Sequence, residues 1–269
     1  AAELKFSAYV VGGFVRDLLL KHENLDIDIV IEGDAIDFAR RFAARFGARS
    51  REFQKFKTAV IIFPDGFKID VATARTEYYE APGALPIVEY SSIKMDLYRR
   101  DFTINTLALK LNPGEFGTLL DFFGAQRDIK EGRISLLHNL SFVEDPTRVF
   151  RAIRFEQRFN FRITKLAANL INNAVKNNFF DRLSGARLFG ELRLILQEES
   201  PIPAIARLAE LNLLAAVHPR LGFDAATRRM LEGVQAVLSW YDLLYLEQKY
   251  SRWLLYFLGL VDHLTLAEL

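Results

Sequence analysis

Two acidic residues, Asp26 and Asp28, lie two positions apart in a segment where apolar residues alternate with acidic ones. That alternation has the period of a half-buried strand. The apolar side chains would share its inner face, namely those of Leu25, Ile27, Ile29 and Ile31. The two carboxylates would then project from the other face and repel each other. A divalent cation with oxygen ligands is the usual partner of such a pair, so the segment predicts a metal site at Asp26 and Asp28.

A glycine pair precedes this segment. An apolar run ends at Gly12 and Gly13 and passes into an amphipathic helix, a geometry that aims free backbone N–H groups at an anion. A carboxylate pair beside a phosphate-binding turn indicates nucleotidyl transfer. Taken singly, Gly-Gly is most often a tight turn and Asp-x-Asp is most often solvated surface. The combination is stronger, because Asp is disfavoured inside strands and two on one face require a reason.

A third acidic candidate, Asp70, lies in the second strand of a predicted hairpin. The hairpin joins residues 58–63 to residues 67–72 through a Pro-Asp-Gly turn, which is favourable turn chemistry. Asp70 is a candidate third catalytic carboxylate if its strand neighbours that of Asp28. An exposed strand residue near the rim of the sheet is an equally good interpretation.

The segment 99–105 (Arg-Arg-Asp-Phe-Thr-Ile-Asn) carries two candidates for nucleotide binding. We predict one helix from Ser92 to about Thr106, on which Asp101 and Asn105 share a face because they are four residues apart. Arg100 could contact a triphosphate and Asn105 a ribose hydroxyl. Taken alone, the segment is more simply a solvated helix face with an internal Asp–Arg pair.

The segment 144–154 places Asp145, Arg148 and Arg151 on neighbouring turns of a helix predicted from Ser141 to about Phe159. A carboxylate only accepts hydrogen bonds and a guanidinium only donates them. An Asp/Arg pair therefore matches the Watson–Crick edges of cytosine and adenine and rejects those of uracil and guanine. It could select the incoming base. Alone, the segment would be a solvated or ion-paired arginine-rich face.

Length and composition restrict the class of protein. The chain has 269 residues, of which 51% are hydrophobic, and a net charge of +1, so it is long enough for one or two folded domains and is not disordered. It has no cysteine, which excludes disulfides, thiolate zinc sites and Cys nucleophiles. No apolar run approaches the roughly 18 residues of a membrane span, and no signal-peptide pattern opens the chain. We expect a soluble cytoplasmic protein with no membrane partner. The absence of an initial Met leaves open that the chain is a fragment of a longer protein.

The order of predicted elements indicates two domains. Strands and helices alternate through the first half, whereas strand patterns stop near residue 135 and helical patterns recur at 164–177, 185–197, 201–211, 224–240 and 248–260. We therefore predict an α/β head over residues 1–134, with a mixed sheet and flanking helices, and an all-helical region over residues 135–269. Residues 76–91 show no sustained period and are predicted to be a long, functional or mobile loop.

Four ordered motifs resemble those of the class II, bacterial-type, tRNA nucleotidyltransferase and poly(A) polymerase family. They are residues 12–17 with Asp26 and Asp28, residues 99–105, residues 121–128, and residues 144–148 with Arg151. Residues 183–191 resemble the fifth motif of the family more loosely. Four spaced motifs in order are highly specific, and they cover roughly residues 8–160.

The resemblance implies a polymerase-beta-like head, then a helical neck and body that grip RNA. It implies that Asp26 and Asp28 hold Mg²⁺, with Asp70 as the third catalytic carboxylate. The nucleotide would be bound by a further set of residues: Gly12, Gly13, Arg16, Arg100, Asn105 and Arg151. Asp145 and Arg148 would read the base.

We therefore expect a template-independent nucleotidyltransferase that adds A, or C and A, to the 3′ end of tRNA. ATP would be the donor, with CTP as a second donor if C is also added. A poly(A) polymerase acting on other RNA 3′ ends is the alternative, although residues 53–59 match the basic stretch of those enzymes poorly. A non-catalytic RNA- or nucleotide-binding module and a nucleotidyltransferase acting on a small molecule or a protein are weaker alternatives. The resemblance implies a flexible element needed for A addition at residues 76–91, and the length of this segment therefore argues against an enzyme that adds only CC.

Overall fold

The structure, a computed structural model, describes residues 1–78, 87–247 and 249–265. The chain forms two compact units, Ala1–Asn139 and Leu140–Leu269. The division lies a few residues beyond the predicted boundary near Ile134. Residues just after Ile134 remain with the first unit because Leu136 pairs with Phe102 across an isolated bridge and the Ser135 carbonyl accepts a hydrogen bond from the Thr103 N–H.

A seven-stranded mixed sheet forms the centre of the first unit, in the order β3-β4-β5-β2-β1-β8-β9. Strands β2 and β5 are parallel, and the other neighbouring pairs are antiparallel. The strands of this sheet are β1 (Ser7–Val11), β2 (Ile27–Glu32), β3 (Arg49–Phe53), β4 (Thr58–Ile62), β5 (Lys68–Thr73), β8 (Leu107–Lys110) and β9 (Leu119–Asp121). A separate hairpin pairs β6 (Arg75–Tyr78) with β7 (Ile87–Tyr90), and β10 is Arg133–Ile134.

Helices cover the two faces of the sheet unequally. One face is covered by α1 (Gly13–Leu20), α2 (Ala35–Arg45) and α4 (Ala125–Glu131). The other face is covered by α3 (Ile93–Tyr98), whose Ile93 and Leu97 pack on Val11 and Val30. Residues of β3, β4 and β5 that point to this second face are less buried than those that point to α2. We call this part of the sheet the open face.

Three predictions for this unit were wrong in detail. Strand β3 was not predicted, and the predicted loop over residues 76–91 contains the paired strands β6 and β7; its central residues 79–86 lie outside the described residues. The predicted helix over 92–106 ends at Tyr98, after which Phe102 is extended (φ −134°, ψ 152°) and Thr103–Asn105 form a 3₁₀ turn. Phe102 is fully buried, so tertiary packing overrides the helical pattern there.

The second unit is helical apart from the two-residue strand β11 (Arg162–Ile163). Its helices are α5 (Ser141–Glu144), α6 (Arg148–Phe159), α7 (Lys165–Lys176), α8 (Gly185–Leu196), α9 (Ile202–Glu210), α10 (Leu214–Val217), α11 (Ala225–Asp242) and α12 (Arg252–Val261). The predicted single helix from Ser141 to Phe159 is therefore two helices. The break falls at Asp145 (φ −139°, ψ 94°), because the residue before a proline is driven out of the helical region. Within the described residues, no helix is long and apolar enough to cross a membrane.

Candidate active site

The sheet places Asp28 and Asp70 side by side. Strands β2 and β5 are parallel neighbours in which Asp28 is in register with Asp70. Neighbouring strands lie about 4.8 Å apart and residues in register point to the same face. The condition set for Asp70 as a third acidic residue, that its strand neighbours that of Asp28, is therefore met.

Asp26 precedes β2 and is exposed, and Leu25 is 75% exposed rather than turned inward. The alternating strand therefore begins at Ile27, later than predicted. Asp26 nevertheless belongs with the other two acids, because its negative charge raises the pKa of both Asp28 and Asp70.

Asp28 is the most perturbed of the three carboxyl groups. Burial raises its pKa from 3.8 to about 6; Arg100 opposes this shift, while the negative charges of Asp26 and Asp70 add to it. Burial also raises the pKa of Asp70, helped by Asp26 and opposed by Lys68. The structure thus gathers three acids whose negative charges are only partly compensated by nearby cations.

Gly12 allows Arg100 to approach these acids. Its φ of 71° and ψ of −131° suit glycine alone. A Cβ on Gly12 would lie 2.7 Å from Nη1 of Arg100 and 3.9 Å from Oδ2 of Asp28, so any side chain here would displace the guanidinium. The Gly12 N–H donates to the Leu107 carbonyl (3.1 Å) and is used by the sheet, contrary to its expected role as an anion donor. The first turn of α1, which starts at Gly13, presents N–H groups that have no carbonyl partner within the helix.

Arg100 is held by a buried carboxylate on α3. Asp96 is fully buried, and its Oδ2 accepts a hydrogen bond from Nη2 of Arg100 (3.1 Å), while its Oδ1 accepts two from Arg99 (3.1 and 2.7 Å). Burial would raise the pKa of Asp96, but Arg100 and Arg99 outweigh it and hold the pKa below its ordinary value. Arg99 also donates to Glu77 (2.8 Å) in β6. One ion-pair network therefore joins Arg100 to the start of the β6–β7 hairpin.

Arg16 and Asn105 lie under the glycine turn in a second buried network. Arg16 is 4% exposed and donates to both oxygens of Asp17 (2.7 and 2.9 Å) and to Oδ1 of Asn105 (2.6 Å). Asn105 is 6% exposed and donates to Asp101 (2.9 Å). Nη2 of Arg16 would lie 3.5 Å from a Cβ on Gly13. Both residues thus adjoin the start of α1, and their burial favours support of that turn over free projection into solvent.

The donor set fits a hard divalent cation. Carboxylate oxygens are the ligands that such ions prefer, and a cation near Asp26, Asp28 and Asp70 would favour the ionised forms, against the burial and mutual repulsion that raise the pKa of Asp28 and Asp70. In the described part of the chain, no group of three His, Cys, Asp or Glu side chains is already arranged as a metal site. The fit therefore rests on the chemistry of the three acids and on their electrostatic coupling.

In the helical unit, Asp145 is fixed by the break between α5 and α6. Its Oδ1 accepts hydrogen bonds from the N–H and Oγ1 of Thr147 (3.0 and 2.6 Å) and from Nη2 of Arg187 in α8 (2.8 Å). Among the described residues, no hydrogen bond is made to Oδ2 of Asp145. One carboxylate oxygen is thus used for orientation, and the other can accept from a ligand.

Arg148 starts α6 and is 6% exposed. Its Nη1 donates to Oγ of Ser141 (2.8 Å) and lies 3.8 Å from a carboxylate oxygen of Glu144. Arg151 lies one turn later, with its guanidinium 5.4 Å from the ring centre of Phe155. The Arg148 N–H donates to the Asp145 carbonyl (3.1 Å), and Asp145 lies in the break between α5 and α6 rather than on the predicted helix.

Comparison with known proteins identifies the family. The model of the poly(A) polymerase head domain matches residues 8–135. A solved structure described as a tRNA nucleotidyltransferase complexed with a primer tRNA and an incoming ATP analog is 34% identical, with a TM-score of 0.86 over 99% of this chain and 75% of that one. The chain belongs to the class II tRNA nucleotidyltransferase and poly(A) polymerase family.

Curated members of this family are longer than the chain. An A-adding tRNA nucleotidyltransferase from Geobacter sulfurreducens is 60% identical over 262 residues, which are 97% of this chain and 30% of that protein. One from Aquifex aeolicus is 38% identical over 257 residues, 96% of this chain and 31% of that protein. The chain thus spans less than a third of either relative.

Two residues near the predicted family sites were given no role by sequence reasoning, Asp96 and Arg187. For Asp96 the pattern held a usable indication, since it shares a helix face with Ile93 and Leu97, and a charge on a buried face requires a partner. For Arg187 no local pattern could show the contact, because Asp145 is 42 residues away in sequence.

Proposed function

We propose that the chain is the nucleotidyl-transferring part of an enzyme that adds A, or C and A, to the 3′ end of tRNA without a template. The observation that carries the proposal is the in-register pair Asp28 and Asp70 beside Gly12 and Arg100, in a chain of this family. The two curated relatives named above are A-adding enzymes, which favours addition of A from ATP. We place the activity in the cytoplasm because the proposed substrate is tRNA.

In this proposal Asp26 and Asp28 hold Mg²⁺, with Asp70 as the third carboxylate. When bound, Mg²⁺ supplies positive charge that lowers the pKa of the attacking hydroxyl and neutralises the triphosphate. The first turn of α1 and Arg100 bind the triphosphate, since free N–H groups and a guanidinium both donate to phosphate oxygens. Asp96 keeps the guanidinium of Arg100 in place (3.1 Å), and Arg16 with Asn105 supports the glycine turn.

Asp145 and Arg148 select the base in this proposal. Oδ2 of Asp145 accepts from the exocyclic amino group of adenine or cytosine, and Arg148 donates to the neighbouring ring nitrogen. Uracil and guanine present a carbonyl and a ring N–H in these places, so each leaves a polar group of the protein unpaired. A buried unpaired group costs about 1–3 kcal/mol, enough to discriminate roughly tenfold or more. Arg151, one turn along α6, adds positive charge for the triphosphate.

The proposal is tested by incubating the chain with Mg²⁺, one labelled nucleoside triphosphate at a time, and tRNAs that end before CCA, after C or after CC. We expect A to join the tRNA that ends in CC. Addition of C to the shorter tRNAs followed by A would establish the form that adds both. Failure to transfer any nucleotide, or transfer of C alone, would contradict the proposal.

The carboxylates are tested by Asp26→Ala. We expect incorporation to be lost with little change in nucleotide affinity, because Asp26 is exposed and acts through the cation rather than on the base or ribose. The matched control is Asp37→Ala, which removes a carboxylate on α2 that pairs with Arg41 (3.0 Å) and should leave incorporation intact. Equal effects of the two variants would refute the assignment.

A poly(A) polymerase is the second candidate, favoured by the matching head-domain description. Repeated addition of A to any RNA in the same assay would replace our proposal with this one. Binding of ATP and RNA without incorporation would instead support a module that kept the fold without the activity.

A further inference from the structure

Three cations lie on the open face of the head sheet beside the acidic residues. Arg49 and Arg51 project from the outer strand β3, and Lys68 projects from β5; all three side chains are exposed. Phe53, also exposed, follows on the same face of β3, and the guanidinium of Arg51 lies 5.2 Å from the centre of its ring. We call these four residues the edge strip.

The strand register connects the edge strip to the candidate active site. Arg51 is opposite Val60, Val60 is opposite Asp70, and Asp70 is opposite Asp28. These four residues therefore form one row across the sheet and point to the same face. A second row brings Arg49 opposite Ile62 and Ile62 opposite Lys68. Lys68 acts on the site: burial and Asp26 raise the pKa of Asp70, and the positive charge of Lys68 opposes that rise.

The cations of the edge strip differ in their ion pairing from the arginines of α2, which covers the other face of the same strands. On α2, three arginines each pair with a carboxylate: Arg40 with Glu52 (3.0 Å), Arg41 with Asp37 (3.0 Å) and Arg45 with Glu3 (2.7 Å). Among the residues that the structure describes, Arg49, Arg51 and Lys68 have no carboxylate oxygen within 4.0 Å. Within the described residues, the strip therefore carries positive charge that no ion pair neutralises.

The position of the edge strip relative to Asp28 determines what the strip can bind. Gly12, Arg100 and the start of α1 lie on the β1 side of Asp28, whereas Asp70 and the strip lie on the β5 side. In an in-line displacement at the α-phosphate, the attacking oxygen and the leaving pyrophosphate are on opposite sides. If the triphosphate occupies the Gly12 side, the RNA must reach the site from the side of Asp70.

We propose that the edge strip binds the RNA strand just upstream of its 3′ end. This rests on the proposed function and adds the route by which the RNA arrives. Arg49, Arg51 and Lys68 contact backbone phosphates, and Phe53 stacks on a base. Cations that follow the backbone together with an aromatic side chain for stacking are the usual composition of a single-strand binding surface.

The first test is the salt dependence of RNA binding. A triple variant, Arg49→Ala, Arg51→Ala and Lys68→Ala, is compared with the natural sequence for binding of a tRNA ending in CC. The slope of log K against log salt is negative, and each lost phosphate contact reduces its magnitude by about 0.7, so the loss of three should make it shallower by about 2. We expect weaker RNA binding and a raised KM for RNA, with the KM for ATP unchanged.

The matched control is the triple variant Arg40→Ala, Arg41→Ala and Arg45→Ala. It removes the same charge from the α2 side and should keep the natural slope. Equal slopes for the two variants would overturn the proposal, as would a rise in the KM for ATP alone, which would assign the strip to the triphosphate. If the natural chain binds RNA but adds no nucleotide, the proposed function fails while the slopes still test the strip.

The second test uses the absence of cysteine from the chain. Arg51→Cys and Arg41→Cys each introduce one thiol, and tRNAs carrying a single tethered thiol at a defined nucleotide near the 3′ end are offered to both. We expect disulfide capture by the Arg51→Cys variant within the last few nucleotides and none by the Arg41→Cys variant. Capture that does not depend on nucleotide position would overturn the proposal.

Discussion

Asp28 is the residue at which opposing electrostatic effects meet. Burial raises its pKa from 3.8 to about 6, Arg100 opposes the rise, and Asp26 and Asp70 increase it. A carboxyl group whose pKa is higher in the folded state binds more protons folded than unfolded, so folding is favoured at low pH. Stability contributed by this group is therefore greatest below about pH 4 and is lost as the pH rises to about 6.

The first prediction concerns this loss of stability with rising pH. Without divalent cations, Asp28→Asn should stabilise the fold at pH 8 and have little effect near pH 4. At about 1.4 kcal/mol for each pKa unit, the difference between 3.8 and about 6 is on the order of 3 kcal/mol. Urea unfolding at both pH values measures the difference in unfolding free energy between the variant and the natural protein. Adding Mg²⁺ should reduce that difference at pH 8, because the ion stabilises only the natural protein. Equal stability of the two proteins at pH 8 would contradict the prediction.

Asp145 gives the second prediction. Asp145→Ala should reduce discrimination for A over U and G by roughly ten- to a hundredfold, since hydrogen bonds to charged groups are worth about 1.5–3 kcal/mol. Arg187→Ala should also reduce this discrimination, but by a smaller factor, because Arg187 only orients Asp145 (2.8 Å). The ratio kcat/KM for each nucleotide measures both effects. Unchanged selectivity in the Asp145 variant would refute its role.

At the scale of residues, sequence reasoning located the acidic residues, but their burial and their charged neighbours could not be read from the sequence. Alternation along β2 and β5 was enough to single out Asp28 and Asp70, because strand geometry repeats every two residues. The burial of Arg16 was not predictable, since its partner Asn105 is 89 residues away. Contacts of that kind depend on how strands and turns meet rather than on local pattern.

Among the elements, the short helix α3 shows how one secondary-structure element supports a site built by others. Asp96 lies on its buried face and holds Arg99 and Arg100, and Arg99 continues to Glu77 at the start of the β6–β7 hairpin. Asp96 thus accepts charge-assisted hydrogen bonds that position the Arg100 guanidinium beside Gly12. Replacing it removes an acceptor without touching the three catalytic candidates.

The third prediction is that Asp96→Asn raises the KM for ATP more than the KM for RNA, because Arg100 loses its anchor. The fold should also lose stability, by up to about 3–5 kcal/mol, as expected when one partner of a buried pair is removed. Asp128→Asn is the matched control, since Asp128 is also buried but accepts from Thr103 (2.7 Å). A similar rise in the KM for ATP in both variants would indicate a general loss of structure instead.

Elements with regular periods were predicted well, and their ends were not. The strands β2, β4 and β5 and the main helices of the second unit lie close to their predicted ranges. The predicted helix over 141–159 is broken because Asp145 precedes Pro146, a restriction that the sequence did contain. The helix over 92–106 stops early because Phe102 packs in the core, which local pattern could not reveal.

For the whole molecule, the chemistry is divided between two compact units. The three acids, the glycine turn and Arg100 belong to Ala1–Asn139, whereas Asp145, Arg148 and Arg151 belong to Leu140–Leu269. The order of sequence patterns predicted the change from α/β to helical structure, because the alternating strand pattern ends near residue 135. The boundary itself depends on the bridge between Phe102 and Leu136, which local pattern does not encode.

The fourth prediction uses this division. A fragment of residues 1–139 keeps the apolar clusters that pack on both faces of the sheet and should unfold cooperatively on heating. It should bind ATP and UTP with similar affinity in the presence of Mg²⁺, because it lacks Asp145 and Arg148. Calorimetric titration of the fragment and of the natural chain measures the difference. A fragment that still prefers ATP would show that base selection resides in the head.

Strand β3 is the outer strand of the sheet, and this position has a consequence for solubility. An outer strand presents backbone donors and acceptors to which a strand of another molecule can add, and charged side chains on such a strand oppose that association. Arg49 and Arg51 supply that protection here. A variant lacking both should therefore self-associate at lower concentration than the natural chain, which light scattering would detect as a rise in apparent mass.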